Sequence, residues 1–415
     1  MKYVVLLGDG MADYPLAQLS GKTPLEFART PHMDRIAGLG TLGLIDTIPQ
    51  GFASGSDVAN LSVLGYDPRV CYSGRGPLEA ASMGVFLDER DVAFRCNLVT
   101  LSEDEDPVMD DFSAGHISSA EARSVIETLQ QRLGSEDRCF YSGVGYRHLF
   151  VWRRGCHNME TTPPHDITGR KIETYLPRGE GAPEILALME RSREILRDHP
   201  VNRTRREQGK KESNAIWLWG QGRKPPMATF TQKYHLLGGM ISAVDLLNGL
   251  GVIAGFRVIR VSGATGYIDT DYLGKARAAL AALRDLDLLF IHVEAPDEMG
   301  HEGNVEGKIR AIEDFDEKVV GTILSGIGSS GPFRILVLSD HPTPISLRTH
   351  AADPSPFAVL SSEAAENEGG GRPFGESSAG AGRIVSPGHL LMDAFIGDWR
   401  KFVADTSEQG QGPLR

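Results

Sequence analysis

The stretch "LDLLFIHVEAPDEMGH", Leu286–His301, changes character in its middle: an apolar run from Leu286 to Val293 stops abruptly at Glu294, Asp297, Glu298 and His301. An unbroken apolar run of this length, without polar alternation, suits a strand buried on both faces of a parallel sheet. The acids and imidazole at its end would be costly to bury without partners or a metal.

The same texture recurs along the chain. "KYVVLLGD" from Lys2, "TLGLIDTI" from Thr41, "AIWLWG" from Ala215, "FRVIRV" from Phe256 and "FRILVLSD" from Phe333 are short apolar runs bounded by Gly, Asp or Pro. Between them lie helix-like stretches: "TPHMDRIAGLG" from Thr30, "GGMISAVDLLNGLG" from Gly238 and "VEGKIRAIEDFDEKVVGTILSGIG" from Val305. In the last, Ile309, Ile312, Phe315, Val319 and Ile323 fall on one helical face. Apolar strands alternating with amphipathic helices predict an α/β fold, a mostly parallel sheet with helices on both faces.

From Asp111 to Arg178 the texture differs. A helix-like "SSAEARSVIETLQQRLG", a strand-like "RHLFVWRR" and the polar "CHNMETTPPHDITGRKIET" interrupt the pattern. The expectation is a small inserted α+β domain over residues 111–179, dividing a core made of residues 1–110 and 180–415. Residues 361–382, rich in Gly, Ser and Glu, read as a mobile surface loop, and the tail after Thr406 as polar.

With 415 residues and a formal net charge of -12, the chain does not suit a nucleic-acid or anionic-membrane surface, although a local basic pocket for an anionic substrate is compatible with it. Its four cysteines, Cys71, Cys96, Cys139 and Cys156, show no CxxC spacing, so neither a disulfide framework nor a structural zinc site is expected. The opening "MKYVVLLGDG" has too short an apolar run for a signal peptide, and nothing reaches the roughly 18 apolar residues of a membrane helix. A cytoplasmic protein is expected. "SGKT" at Ser20–Thr23 lacks the earlier glycine and leading strand of a phosphate loop. "GLGTLG" from Gly38 follows a helix and precedes a strand, the reverse of the dinucleotide-binding order.

Two further strands end as Leu286–Val293 does: "KYVVLLGD" at Asp9, and "FRILVLSDH" at Asp340 and His341. In open α/β sheets functional groups gather outside the carboxyl ends of the strands, so Asp9, Asp297, His301, Asp340 and His341 are expected to converge, with His350 returning to them from "SLRTHAADP". Alone, Asp9 reads better as a turn or cap residue. Together, carboxylates and neutral imidazoles suit Zn²⁺, Mn²⁺ or a similar ion, in numbers beyond the needs of one tetrahedral site. Two metals about 4 Å apart can clamp both oxygens of an in-line displacement at phosphorus. Ser56, between the Gly-rich "QGFASG" and the helix-like "DVANLSVLG", is the candidate nucleophile; read alone, it is also an ordinary capping serine.

At these residues the chain closely resembles the archaeal-type, cofactor-independent phosphoglycerate mutases of the alkaline phosphatase superfamily. The resemblance is carried by "GDGMAD", "TPHMDRIA", "GSDVANLSVLGYDP", "GRGPLEAAS", "GVGYRHL", "GATGYIDTD", "EAPDEMGH" and "SDH". It implies one ion held by Asp297, His301 and His350, another by Asp9, Ser56, Asp340 and His341, and no 2,3-bisphosphoglycerate. It also implies that Ser56 takes the phosphoryl group from 3-phosphoglycerate and returns it to the 2-hydroxyl. The inserted domain would then serve as a lid excluding water from the phosphoserine. His116, Arg147, His148, His165 and Asp166 are its candidates for contacting the small anionic substrate, with Arg75 and Lys233 from the core.

Two segments, "WLWGQGRKP" and "SDHPTPISLRTHAADPSPF", look more like a bacterial branch of this family proposed to phosphorylate homoserine. A metal-dependent phosphomonoesterase would use the same core. A non-enzymatic protein on a decayed core would lack ligands, and none is missing. The physiological metal among Mn²⁺, Zn²⁺, Mg²⁺ and Co²⁺, and the oligomeric state, are not written in the sequence.

Overall fold

The computed structural model describes residues 1–363 and 370–402. Within them the chain divides into two compact units, one made of Met1–Tyr72 with the described residues from Pro226 onward, the other of Ser73–Pro225. Among the described residues no helix is long and apolar enough to cross a membrane.

The first unit is built on an eight-stranded sheet. In spatial order its strands are Arg257–Val258, Gly238–Ile241, Leu288–Val293, Lys2–Gly8, Phe333–Leu338, Ser355–Ser361, Thr41–Ile45 and Arg383–Val385. All neighbours pair parallel except Ser355–Ser361, which runs antiparallel to both of its neighbours. The three strands that end in acids are therefore adjacent and parallel. Gly8 pairs with Val293 and Leu7 with Leu338, which brings Asp9, Glu294 and Asp340 out along one edge.

Their unbroken apolar sequence follows from burial on both faces. Val4, Leu6, Leu289, Ile291, Ile335 and Val337 pack into one core with Met33, Ile36, Ile312, Phe315, Val319 and Ile323 of the covering helices. The alternating set Val5, Leu7, Phe290 and Leu336 is just as inaccessible. On that side helix Ser56–Val63 packs with Asp245–Ile253 and Leu390–Ile396, and Tyr3 meets Phe395 edge to face at 5.5 Å.

Three expectations need correction. The stretch "GGMISAVDLLNGLG" is a strand, Gly238–Ile241, followed by a helix, Asp245–Ile253. Its glycines belong in the sheet because a Cβ at Gly238 would run into the Phe256 ring. The inserted unit is also larger than residues 111–179. Val92–Leu101 is the central strand of its antiparallel sheet, between Arg147–Trp152 and Ala215–Gly222, with Arg138–Val144 beyond and Met109–Asp111 at one end. "AIWLWG", read as a strand of the core, therefore belongs to the second unit, and so does Arg75. Helices Ser119–Leu133 and Ala182–Leu196 add Val125, Ile126, Leu129, Ile185 and Leu188 to its core, an α+β arrangement as expected.

Finally, the supposed loop 361–382 contains helix Glu376–Gly380. Glu376 ties it down by accepting from the Thr23 hydroxyl at 2.7 Å and the Asp13 amide at 3.0 Å. Residues 364–369, and the tail after Thr406, lie outside the described residues.

Candidate metal centre

Each candidate is placed by a local device. Asp9 is the first residue after its strand, and Gly10 turns the chain with a φ of 59°, which directs its amide to Asp340 Oδ1 at 3.2 Å. Asp297 and His301 lie one turn apart on the short helix Ala295–Glu302, so they share a face. Ser56 is the first residue of helix Ser56–Val63, after Gly55. His350 is brought back by the loop that follows His341.

Two groups result. In the first, His301 Nε2 lies 3.2 Å from Asp297 Oδ2, and His350 Nε2 lies 3.5 Å from Asp297 Oδ1. The two imidazole Nε2 atoms are 2.9 Å apart. In the second, His341 Nε2 lies 3.4 Å from Asp9 Oδ1, 3.6 Å from Asp340 Oδ2 and 3.2 Å from Ser56 Oγ. Asp297–His301–His350 and Asp9–Asp340–His341 each offer ligand atoms within 4.8 Å of one another, as does a third set, Asp9–His292–Glu294.

The electrostatics fit divalent cations. Burial, then the neighbouring charges of Asp340, Glu294 and Asp297, push the Asp9 carboxyl well above its usual range. Burial and Asp297 likewise push Glu294 up to about 8. Burial works in the same direction on Asp297, but hydrogen bonds from His301 and His350 override it and hold that carboxyl well below its usual range. His301 rises to about 9 through its bond to Asp297. Burial lowers His341. Asp9 Oδ1 and Glu294 Oε2 are buried without a hydrogen-bond partner. Converging acids and free acceptors of this kind are what a cation would satisfy.

Three supporting residues were not anticipated from sequence. Asn60 donates to Asp340 Oδ2 at 2.8 Å and to the Ser56 carbonyl at 2.9 Å, locking nucleophile candidate and ligand candidate together. Thr343 donates its hydroxyl to Asp297 Oδ1 and stands 3.3 Å from His341 Nδ1. With its proton given to Asp297, Thr343 Oγ1 accepts from His341 Nδ1–H, which leaves the Nε2 lone pair of His341 free for a cation. His292, the lone imidazole in the apolar run, contacts Asp9 Oδ2 at 2.7 Å. Spacing gave no signal for Asn60 or Thr343, whereas a histidine amid apolar neighbours was a readable anomaly.

The expected substrate-binding residues divide. In the second unit Arg75 stands 6.0 Å and His165 5.4 Å from the Trp219 ring, with Asp166 3.7 Å from His165. Arg147 lies over Tyr146 at 5.8 Å, and Tyr146 and His165 both contact Phe112. Arg95, also missed, lies over Trp219 at 4.9 Å and pairs with Glu79 at 3.2 Å. Arg75, Arg95 and Arg147 thus form a cationic group on an aromatic platform, beside His165, whose pKa burial and the two arginines Arg75 and Arg95 lower.

His148 does not join them. It neighbours Arg147 on a strand and so points to the opposite face, where it accepts from the Gly143 amide at 3.0 Å and burial pushes it down to about 3. His116 is exposed beside a turn, its amide bonded to Ser113 Oγ. Lys233, in the first unit, is committed to the Gly65 carbonyl, the Tyr234 hydroxyl and Asp393.

The chain is similar to known proteins over most of its length. A family model described as 2,3-bisphosphoglycerate-independent phosphoglycerate mutase matches residues 37–202. A probable enzyme of that name from Geobacter sulfurreducens is 55% identical over 95% of this chain and 100% of its own. One from Methanosarcina barkeri is 55% identical over 92% of this chain and 96% of its own. Among solved structures, a Pyrococcus horikoshii protein superposes with a TM-score of 0.80 at 30% identity, over 95% of this chain and 96% of that one. The cofactor-independent phosphoglycerate mutase of Thermoplasma acidophilum superposes with a TM-score of 0.65 at 26% identity, over 95% and 99%. The chain belongs to the family of 2,3-bisphosphoglycerate-independent phosphoglycerate mutases.

Proposed function

We propose that this protein interconverts 3-phosphoglycerate and 2-phosphoglycerate in the cytoplasm through a phosphoserine on Ser56, with two divalent ions and no 2,3-bisphosphoglycerate. Asp297, His301 and His350 would hold one ion, and Asp9, Asp340 and His341, with Ser56, the other. The observation that carries the reading is the pair of carboxylate–imidazole clusters with Ser56 Oγ 3.2 Å from His341 Nε2. When bound, the ions would neutralise phosphate charge and lower the pKa of an oxygen they coordinate.

The rest is the work of the chain. Ser56 sits on a helix N-terminus, where negative charge is favoured, and Asn60 fixes its backbone. The Ser56 Oγ–P bond forms as the bond from phosphorus to the 3-oxygen breaks, and the serine proton passes to that oxygen. The 2-hydroxyl of the retained glycerate then attacks phosphorus, the Oγ–P bond breaks, and a proton returns to Ser56. Arg75, Arg95 and Arg147 of the second unit would be the cationic candidates for holding the anionic substrate, with His165 as a neutral donor. Water must be kept from the phosphoserine throughout.

Metal-stripped protein titrated with Mn²⁺ tests the centre. Two bound ions, with 2-phosphoglycerate formation rising as they load, are expected; activity unaffected by stripping would overturn the reading.

A further inference from the structure

We infer that His292 and Ser242 act as a positioning pair for Asp9, fixing which of its oxygens can meet a cation, while neither is itself a ligand. The inference rests on the proposed reading of Asp9 as a metal ligand.

His292 is fully buried in strand Leu288–Val293, beside Leu7 of the neighbouring strand. Its Nδ1 lies 3.2 Å from Ser242 Oγ, just beyond the next strand of the sheet, and its Nε2 lies 2.7 Å from Asp9 Oδ2. Asp9, ionised as a cation ligand must be, can only accept from Nε2, so Ser242 Oγ, which itself accepts the Val244 amide at 3.0 Å, gives its proton to Nδ1. Nδ1 is then the acceptor and Nε2 carries the ring proton. That proton goes to Asp9 Oδ2, with Glu294 Oε2 farther off at 3.4 Å. Lys275 Nζ donates to the His292 carbonyl at 3.0 Å, fixing the backbone behind the ring.

Two consequences follow. With Oδ2 engaged, Asp9 presents Oδ1, which is buried, has no hydrogen-bond partner and faces His341. The geometric grouping of Asp9, His292 and Glu294 is then not a third ion site, because the nitrogen directed into it holds a proton rather than a free lone pair. Partners behind ligands commonly govern metal affinity in this way.

Mn²⁺ binding to the full chain tests this, measured by calorimetry and by the spin-resonance signal of free Mn²⁺, alongside thermal unfolding of the metal-free proteins. Wild type should bind two ions. His292→Ala should weaken one by about 10–100-fold and leave the other unchanged. His292→Gln, whose side-chain amide can donate to Asp9, should recover part of the loss, and Ser242→Ala should fall between wild type and His292→Ala. Wild-type affinity in His292→Ala overturns the inference. So does equal weakening of both ions with no recovery by Gln, which would mark a packing role, and so does a third ion lost in His292→Ala, which would make His292 a ligand. If His292→Ala does not fold, unchanged affinity in Ser242→Ala overturns it instead. Asp9→Asn is the control: if it binds both ions as wild type does, the ligand reading of Asp9 fails and this inference fails with it.

Discussion

Ser56 Oγ lies 3.2 Å from His341 Nε2, the nitrogen that the Thr343 contact leaves unprotonated. The hydroxyl thus meets an imidazole rather than capping the helix, as the proposed nucleophile role of Ser56 requires. Ser56→Ala should reduce turnover by roughly 10⁴–10⁶-fold, as loss of a covalent nucleophile does, while two ions still bind. Steady-state rates with metal counting check this, and retained turnover would exclude a phosphoserine.

Thr343 touches Asp297 of one cluster and His341 of the other. Thr343→Val keeps the volume and removes the hydroxyl, so both ions should weaken, by about 10-fold or more. Asp297→Asn should instead release one ion selectively. Calorimetric titration with Mn²⁺ separates the two patterns, and unchanged affinity for both ions in Thr343→Val would remove Thr343 from the centre.

Arg95 is 8% exposed and paired with Glu79, so it is either a structural ion pair or a substrate contact. As a substrate contact, Arg95→Met should raise KM for 3-phosphoglycerate by about 10-fold, some 1.4 kcal/mol, beyond any fall in Tm shared with Glu79→Gln. Matching loss of Tm in both variants with unchanged KM would make the pair purely structural.

Asp316 accepts the His32 and Met33 amides, and burial pushes its carboxyl up to about 6 from the ordinary 3.8. The folded chain keeps this proton where the unfolded chain has lost it. The associated stability is complete below the unfolded value and is lost as pH rises towards 6, by up to roughly 3 kcal/mol. Asp316→Asn should flatten that part of the Tm–pH curve, and parallel curves for the two proteins would refute the assignment.

The strand ends were legible because an acid directly after an apolar run is a local signal, and three adjacent parallel strands turn three such signals into one site. The extent of the second unit was not legible. It depends on Val92–Leu101 pairing with Ala215–Gly222, a contact between distant segments that no window of sequence contains. Arg95 was lost for the same reason, since its strand was not recognised. Gly238–Ile241 read as helix because its two glycines hide the strand pattern and the helix after it is strongly apolar. His148 and Arg147, both expected to contact substrate, are consecutive on one strand, and alternation sends the two side chains to opposite faces.

The most direct measurement supplies 3-phosphoglycerate to the Mn²⁺-loaded protein, without 2,3-bisphosphoglycerate, and follows 2-phosphoglycerate and free phosphate separately. The account predicts 2-phosphoglycerate with little phosphate, because the phosphoryl group passes through Ser56 and back to the same glycerate. Phosphate release without isomerisation would contradict it and indicate a phosphomonoesterase. Neither product, with homoserine phosphorylated from an added phosphate donor, would contradict it in favour of a kinase.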